Sequence, residues 1–384
     1  MSGLDLDAAE LAFEASADGT VGIEEEFSVL DPGTLDLIPR YEELRDAAQE
    51  DELLSGSIAG ELISSEIEIR SDAGRDVAAA IASQREVRAR LFAHAASCGV
   101  ALGATGTHPW ADYREQRNID TDHYRRVVDG LRYVARRNNT FSLHVHAGVH
   151  GIDRAVRTCD RLRPVLPVLL AASANSPFLE GLDSGLASAR TQIFTRTFPR
   201  CGIPDAYGSW ATYRDYLELL IRTGSIVEST QVWWSVRPHL AFGTVEVRIC
   251  DAQETAAESE AMAQLIAACV LQAARDVADG VPFRDPEPRL VEENLWRAIR
   301  FGREGRMIDF ARREELPTLA AIDGLLGWTA PVRGELGIEP RLDQLGGAQR
   351  QRAALEQGAT LEEAFAASVA RTARTYAHPE VSKR

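Results

Sequence analysis

Four short stretches of the chain alternate apolar and polar residues strictly enough to be read as strands, each apolar on one side and chemically loaded on the other. Val245, Val247 and Ile249 alternate with Thr244, Glu246 and Arg248. Val21, Ile23, Phe27 and Val29 oppose Gly22, Glu24, Glu26 and Ser28, and Asp31-Pro32-Gly33 supplies the turn that ends the run. Within 61–70, Ile63, Ile67 and Ile69 oppose Ser64, Glu66, Glu68 and Arg70. Phe141, Leu143, Val145 and Val149 oppose Ser142, His144 and His146. Glu25 breaks the apolar side of its strand and is expected at an edge or at the strand mouth.

Between these runs the periodicity changes to that of helices. Residues 76–96 carry Val77, Ile81, Val87, Leu91 and Phe92 near a 3.6-residue period, and Gly99 ends the helix. Shorter helices are expected over 41–54, 123–137 and 215–223. A long one over 153–174 is interrupted at Pro164 and Pro167, and an Ala-rich one over 255–278 is expected to back the sheet. Residues 178–213 read as a long irregular loop, a kind of segment that is commonly functional. The chain divides into a flexible acidic lead-in over 1–19, a catalytic body over 20–281, and an all-helical extension over 282–384 packed on that body.

Composition removes several function classes. Net charge is −16, which argues against a general nucleic-acid binder, and all basic residues but Lys383 are arginine. No apolar stretch approaches the ~20 residues of a membrane span, and the N-terminus lacks the pattern of a secretory signal. Five scattered cysteines without a CxxC pair fit a reduced, cytoplasmic setting. His108, before Pro109, is either a substrate-positioning group or a satisfied structural histidine.

The polar faces carry Glu24, Glu26, Glu66, Glu68, Glu246, His146 and Arg248. Converging carboxylates repel unless protons or cations intervene, and Mg²⁺ or Mn²⁺ are the natural partners of glutamate-rich sites. Cations held by carboxylates beside an arginine suit phosphoryl transfer from ATP. Neither a P-loop nor a dinucleotide-binding glycine motif is present, so a nucleotide would be held chiefly through its metals. Arg190, Arg196 and Arg237 are further candidates for contacts to carboxylate or phosphate.

The motifs Gly22-Ile23-Glu24-x-Glu26, the Glu68 strand, His144-Val145-His146-Ala147-Gly148-Val149 and Phe242-Gly243-Thr244-Val245-Glu246-Val247-Arg248 resemble those of the type 2 glutamate–cysteine ligases, YbdK-like carboxylate–amine ligases of the glutamine-synthetase superfamily. Gly106-Thr107-His108-Pro109-Trp110 and Asn294-x-Trp296-Arg297-Ala298 extend the likeness over about 20–310. The resemblance implies an α+β fold: an antiparallel funnel-shaped sheet backed by helices, with ATP at one end and two or three Mg²⁺ between. It implies Glu24, Glu26, Glu68, Glu246 and His146 as metal ligands, with Glu61 as a further acid, and Arg248 on the transferring phosphate. Glu66 stands where the family commonly has an apolar residue, leaving the choice between Glu66 and Glu68 open. The activity implied is ATP-dependent ligation through an acyl phosphate, with L-glutamate and an amine such as L-cysteine as substrates. The alternatives are a metal-dependent hydrolase using His144, His146 and the glutamates, and a catalytically silent binding protein. The acceptor amine and the oligomeric state, a homodimer being one option, are left open.

Overall fold

The computed structural model describes residues 6–343 and 345–377. Seven strands form one antiparallel sheet: β1 (Val21–Leu30), β2 (Ile58–Ala59), β3 (Glu66–Arg70), β4 (Ala101–Gly103), β5 (Ser142–Gly148), β6 (Val236–His239) and β7 (Thr244–Asp251). They lie in the order β6-β7-β5-β1-β3-β2, with β4 beside the far end of β1. The helices that matter for the site are α1 (Leu6–Ala15), α2 (Val77–Ser97), α3 (Asp122–Leu131), α4 (Ile152–Leu162), α5 (Leu166–Ser173), α6 (Ala189–Thr197), α7 (Ala256–Ala278), α8 (Pro288–Phe301), α9 (Gly347–Glu356) and α10 (Leu361–Tyr376).

The apolar side of the sheet is the core. Val21, Ile23, Val145, Val245 and Val247 pack against Leu166, Leu169, Ile266 and Val270 of the backing helices. Phe27, Val29, Ile67 and Ile69 pack against Val87, Leu91 and Phe92 of α2. Each such side chain contributes about 1.5–3 kcal/mol on leaving water, so the alternation alone commits the opposite faces of these strands to the polar side. Asp76 caps α2 by accepting from the Ala79 amide at 2.8 Å, and the Thr255 hydroxyl does the same for α7 through the Glu258 amide.

Several sequence expectations are corrected. Residues 6–15 of the supposed flexible lead-in form α1, whose Leu6, Ala9 and Phe13 fall on one helical face and join the core. Positions 1–5, and 378–384 of the extension, lie outside the described residues. The predicted 41–54 helix is two helices, Tyr41–Ala47 and Glu52–Ser57. The strand expected over 61–70 is regular only from Glu66, and Glu61 sits in the irregular chain before it. Residues 178–213 are not wholly a loop, because Ser188 caps helix α6 within them. The extension is not all helical, since Arg306–Asp309 and Glu314–Pro317 pair as a hairpin.

Glu25 is neither at an edge nor at a strand mouth. It lies mid-sheet between Ile69 and Leu143, only 3 % exposed, and a guanidinium from α2 accounts for its burial. Among the described residues one helix, α7, is long and apolar enough to cross a membrane, contrary to the expectation that no stretch is. It is a core helix, most of its length buried against the sheet and the neighbouring helices. A bulge between Val247 and Cys250 changes the register of β7. It turns Cys250 into the core instead of leaving it in line with Glu246 and Arg248. The C-terminal helices pack on the same body: Arg350 and Arg371 both donate to Glu254, which is fully buried, and Phe365 and Val369 pack with Leu30.

Candidate active site

Antiparallel register brings the charged positions together as cross-strand neighbours. Glu24 on β1 lies opposite Arg70 on β3 and His144 on β5, and Glu26 lies opposite Glu68. Glu246 on β7 lies opposite His146 on β5 and Arg237 on β6. All of these groups but His146 line a cavity of about 430 Å³. Its floor is the polar side of the sheet, and its walls include Tyr124 and Val127 of α3 together with Phe194, Phe198 and Trp233.

The two ends of the acid cluster differ electrostatically. The Glu24 carboxylate meets His144 Nδ1 at 3.1 Å, His146 Nε2 at 3.4 Å and Arg70 Nε at 3.5 Å. Burial opposes its ionisation, yet His146 and His144 hold it well below the usual carboxylate range. Glu246 is fully buried but accepts from Arg237 Nε at 2.6 Å and from Arg248, and these arginines hold it well below that range too. At the other end burial pushes Glu66 and Glu68 well up, with Glu26 adding most to the rise at Glu66 and Glu24 at Glu68. Burial and the neighbouring Glu26 likewise raise Glu61 to about 7.

Among the described residues, three groups offer ligand atoms lying within 4.8 Å of one another: Glu24, Glu68 and His144; Glu24, His146 and Glu246; and Glu26, Glu61 and Glu68. A divalent cation fits this donor set. The donors are mostly carboxylate oxygens, the kind that Mg²⁺ and Mn²⁺ take, and several are acids that burial leaves short of compensating charge. Glu66 Oε2 is buried without a hydrogen-bond partner, and His146 Nε2 makes no well-aligned hydrogen bond, its nearest contact being the Glu24 carboxylate at 3.4 Å. Such orphaned atoms are costly unless a ligand or ion satisfies them.

Most of the residues singled out in the sequence meet here: Glu24, Glu26, Glu61, Glu66, Glu68, Arg190, Arg237, Glu246 and Arg248 line the cavity, and His146 reaches it through Glu24 and Glu246. Arg196 does not. It projects from α6 into solvent and pairs with Glu292 at 2.9 Å. Arg190 spends its Nη donors on the Ile249 and Arg248 carbonyls, while its Nε, like that of Arg248, is a buried donor without a partner. Three residues enter that the sequence reading left out of the site. His144 belongs to a cation group, although it had entered only through the hydrolase alternative. Arg70 bridges Glu68 and Glu24, as its place on the same polar face as Glu68 could have signalled. His239, held near pKa 4 by burial, stacks on Phe242 with ring centroids 4.2 Å apart, and no local pattern marks it. His108 is structural: it is fully buried, one ring nitrogen lies 2.8 Å from the Leu35 carbonyl, and the other accepts from the Trp110 and Ala111 amides.

The family model for glutamate–cysteine ligase family 2 matches residues 20–368. The chain belongs to glutamate–cysteine ligase family 2. A Halobacterium salinarum protein named glutamate–cysteine ligase is 36 % identical over 348 residues, covering 89 % of this chain and 94 % of its own. A Rubrobacter xylanophilus protein provisionally named glutamate–cysteine ligase 2-3 is 39 % identical over 360 residues, covering 92 % and 97 %. Among solved structures, the glutamate–cysteine ligase of Francisella tularensis in complex with AMP aligns with a TM-score of 0.68 at 13 % identity, over 94 % of this chain and 90 % of that one. The bifunctional glutathione synthetase of Pasteurella multocida aligns at 0.67, also at 13 % identity, over 96 % and 54 %. At such identities the likeness speaks for the fold, which is the expected α+β sheet backed by helices. As a family 2 member the chain is an ATP-dependent carbon–nitrogen ligase of the glutamate–cysteine ligase kind.

Proposed function

We propose that this family 2 ligase joins the γ-carboxylate of L-glutamate to the amine of L-cysteine, with ATP converted to ADP and phosphate. The observation that carries the reading is the meeting of Glu24, Glu68 and Glu246, from three strands, in one cavity that Arg248 and Arg237 also line. Glu24, Glu26, Glu61, Glu68, Glu246, His144 and His146 would hold Mg²⁺ or Mn²⁺. Bound there, they would supply neutralising charge for the phosphates.

The chemistry has two displacements. An oxygen of the substrate carboxylate forms a bond to the γ-phosphorus while the bond to ADP breaks, giving an acyl phosphate. The amine nitrogen then bonds to the acyl carbon, phosphate leaves with the bonding pair, and the nitrogen loses a proton. Arg248 and Arg190 line the cavity and would meet the oxygens that gain charge in the first step. Arg237 anchors Glu246 and so keeps one wall of the cation site in position. No nucleophilic side chain is required. The five cysteines are free, in keeping with a cytoplasmic setting. His144 and His146 fall in different carboxylate groups, so no specific observation favours the hydrolase alternative.

The test is ADP release with Mg²⁺, L-glutamate and a panel of amines. Release that depends on both glutamate and cysteine is expected, and no amine-dependent ADP with any acceptor would overturn the proposal.

A further inference from the structure

On the side of β1 away from the cavity sits a charged assembly that the reaction does not use. The Glu25 carboxylate collects donors from three helices. Arg88 of α2 grips it with a two-pronged contact, Nε to Oε2 at 2.6 Å and Nη2 to Oε1 at 2.8 Å. Gln84 of the same helix donates to Oε2 at 2.9 Å, Ser259 of α7 donates to Oε1, and the Tyr376 hydroxyl of α10 lies 3.4 Å from Oε1. Arg88, 1 % exposed, gives its remaining Nη1 to Glu260 at 3.0 Å and lies over the Tyr376 ring, 5.0 Å from its centroid.

A buried ion pair is a weak source of stability, because well-packed apolar residues often do as well in its place. Its position suggests a different use. Glu25 sits on the central strand between Glu24 and Glu26, and every one of the three candidate cation groups contains one of those two neighbours. The acids across the cavity repel one another. A displacement of β1 at this point would therefore change all three groups at once, and an anchor behind the strand opposes it. We propose that Glu25 and Arg88 form a positioning clamp that fixes β1 and thereby sets the spacing of the divalent-cation sites, with Tyr376 tying the C-terminal helix into it. The proposal rests on the cation reading of the cavity given above.

The test compares Mn²⁺ binding, followed as loss of the free-ion EPR signal, with the Mg²⁺ dependence of ADP release and with the thermal midpoint. The double variant E25L/R88M removes the clamp while filling its space with apolar atoms. It is expected to bind Mn²⁺ about tenfold more weakly and to need about tenfold more Mg²⁺ for half-maximal ADP release, at a thermal midpoint close to that of the parent protein. R88K, which keeps the charge but not the fork, is expected to recover most of that loss. If the double variant does not fold, E25Q carries the test, with an expected weakening of about threefold. Unchanged Mn²⁺ affinity and Mg²⁺ dependence in whichever of these folds overturns the clamp and leaves the cation reading standing. A parent protein that binds no Mn²⁺ overturns the cation reading, and the clamp with it.

Discussion

The β3 end and the β7 end of one acid cluster solve the same problem in opposite ways. At the β7 end Glu246 is ionised against full burial because Arg237 and Arg248 both reach it. At the β3 end Glu68 has the Arg70 guanidinium and Glu61 the pull of Arg248 and Arg70, but burial and the neighbouring acids outweigh them and drive Glu61, Glu66 and Glu68 toward the protonated form. The difference is a matter of charge count within a few ångströms and not of residue type. It teaches that the β7 end is built around fixed positive side chains, whereas the β3 end carries more carboxylates than its neighbouring side chains neutralise.

Four experiments break or sharpen that contrast. The largest effect is expected from chelating divalent cations, which should abolish ADP release, with recovery on adding Mg²⁺ or Mn²⁺; activity surviving exhaustive chelation would erase the distinction between the ends. Next, Arg248→Ala strips the β7 end of a fixed cation, and kcat for ADP release is expected to fall by about 10²–10³-fold, as for other deleted transition-state donors. Third, Glu68 belongs to two cation groups and Glu66 to none. Glu68→Gln is therefore expected to lower kcat by roughly 10²-fold and Glu66→Gln by less than about threefold, read in the same assay.

The smallest effect is one of stability. The folded-state pKa of Glu61 lies near 7, above its ordinary value, so the folded chain binds more protons than the unfolded one between about pH 4.5 and 7. Stability from this group is fully present below pH 4.5 and is lost as pH rises toward 7. The metal-free parent protein is expected to lose on the order of 3 kcal/mol more than Glu61→Gln across that window in denaturant titrations.

Legibility in the sequence followed the range of the interactions. Glu24, Glu26, Glu68, His144, His146, Glu246 and Arg248 announced themselves because a period of two, set by apolar neighbours, fixes which side a strand residue takes. Glu25 was misjudged because its partner Arg88 lies 63 positions away on a helix, and no local pattern encodes that meeting. Arg190 and Arg196 look equivalent in the sequence because their segment reads as a loop. Six positions along a helix turn two side chains about 240° apart, and α6 sends one to the cavity and the other to Glu292. The hairpin at 306–317 was missed because its strands are four residues each and largely polar, too short for periodicity to show. Helix α1 escapes a sequence reading because Leu6, Ala9 and Phe13, the residues it buries, are spread through a short acidic segment that reads as a tail until a core is there to receive them.

The most direct measurement is an anomalous-scattering map from crystals of the protein equilibrated with Mn²⁺ and an ATP analogue. The account predicts ions seated among Glu24, Glu68 and His144 and among Glu24, His146 and Glu246. Manganese found only elsewhere on the molecule, or a cavity that takes up none while the nucleotide is bound, would contradict it.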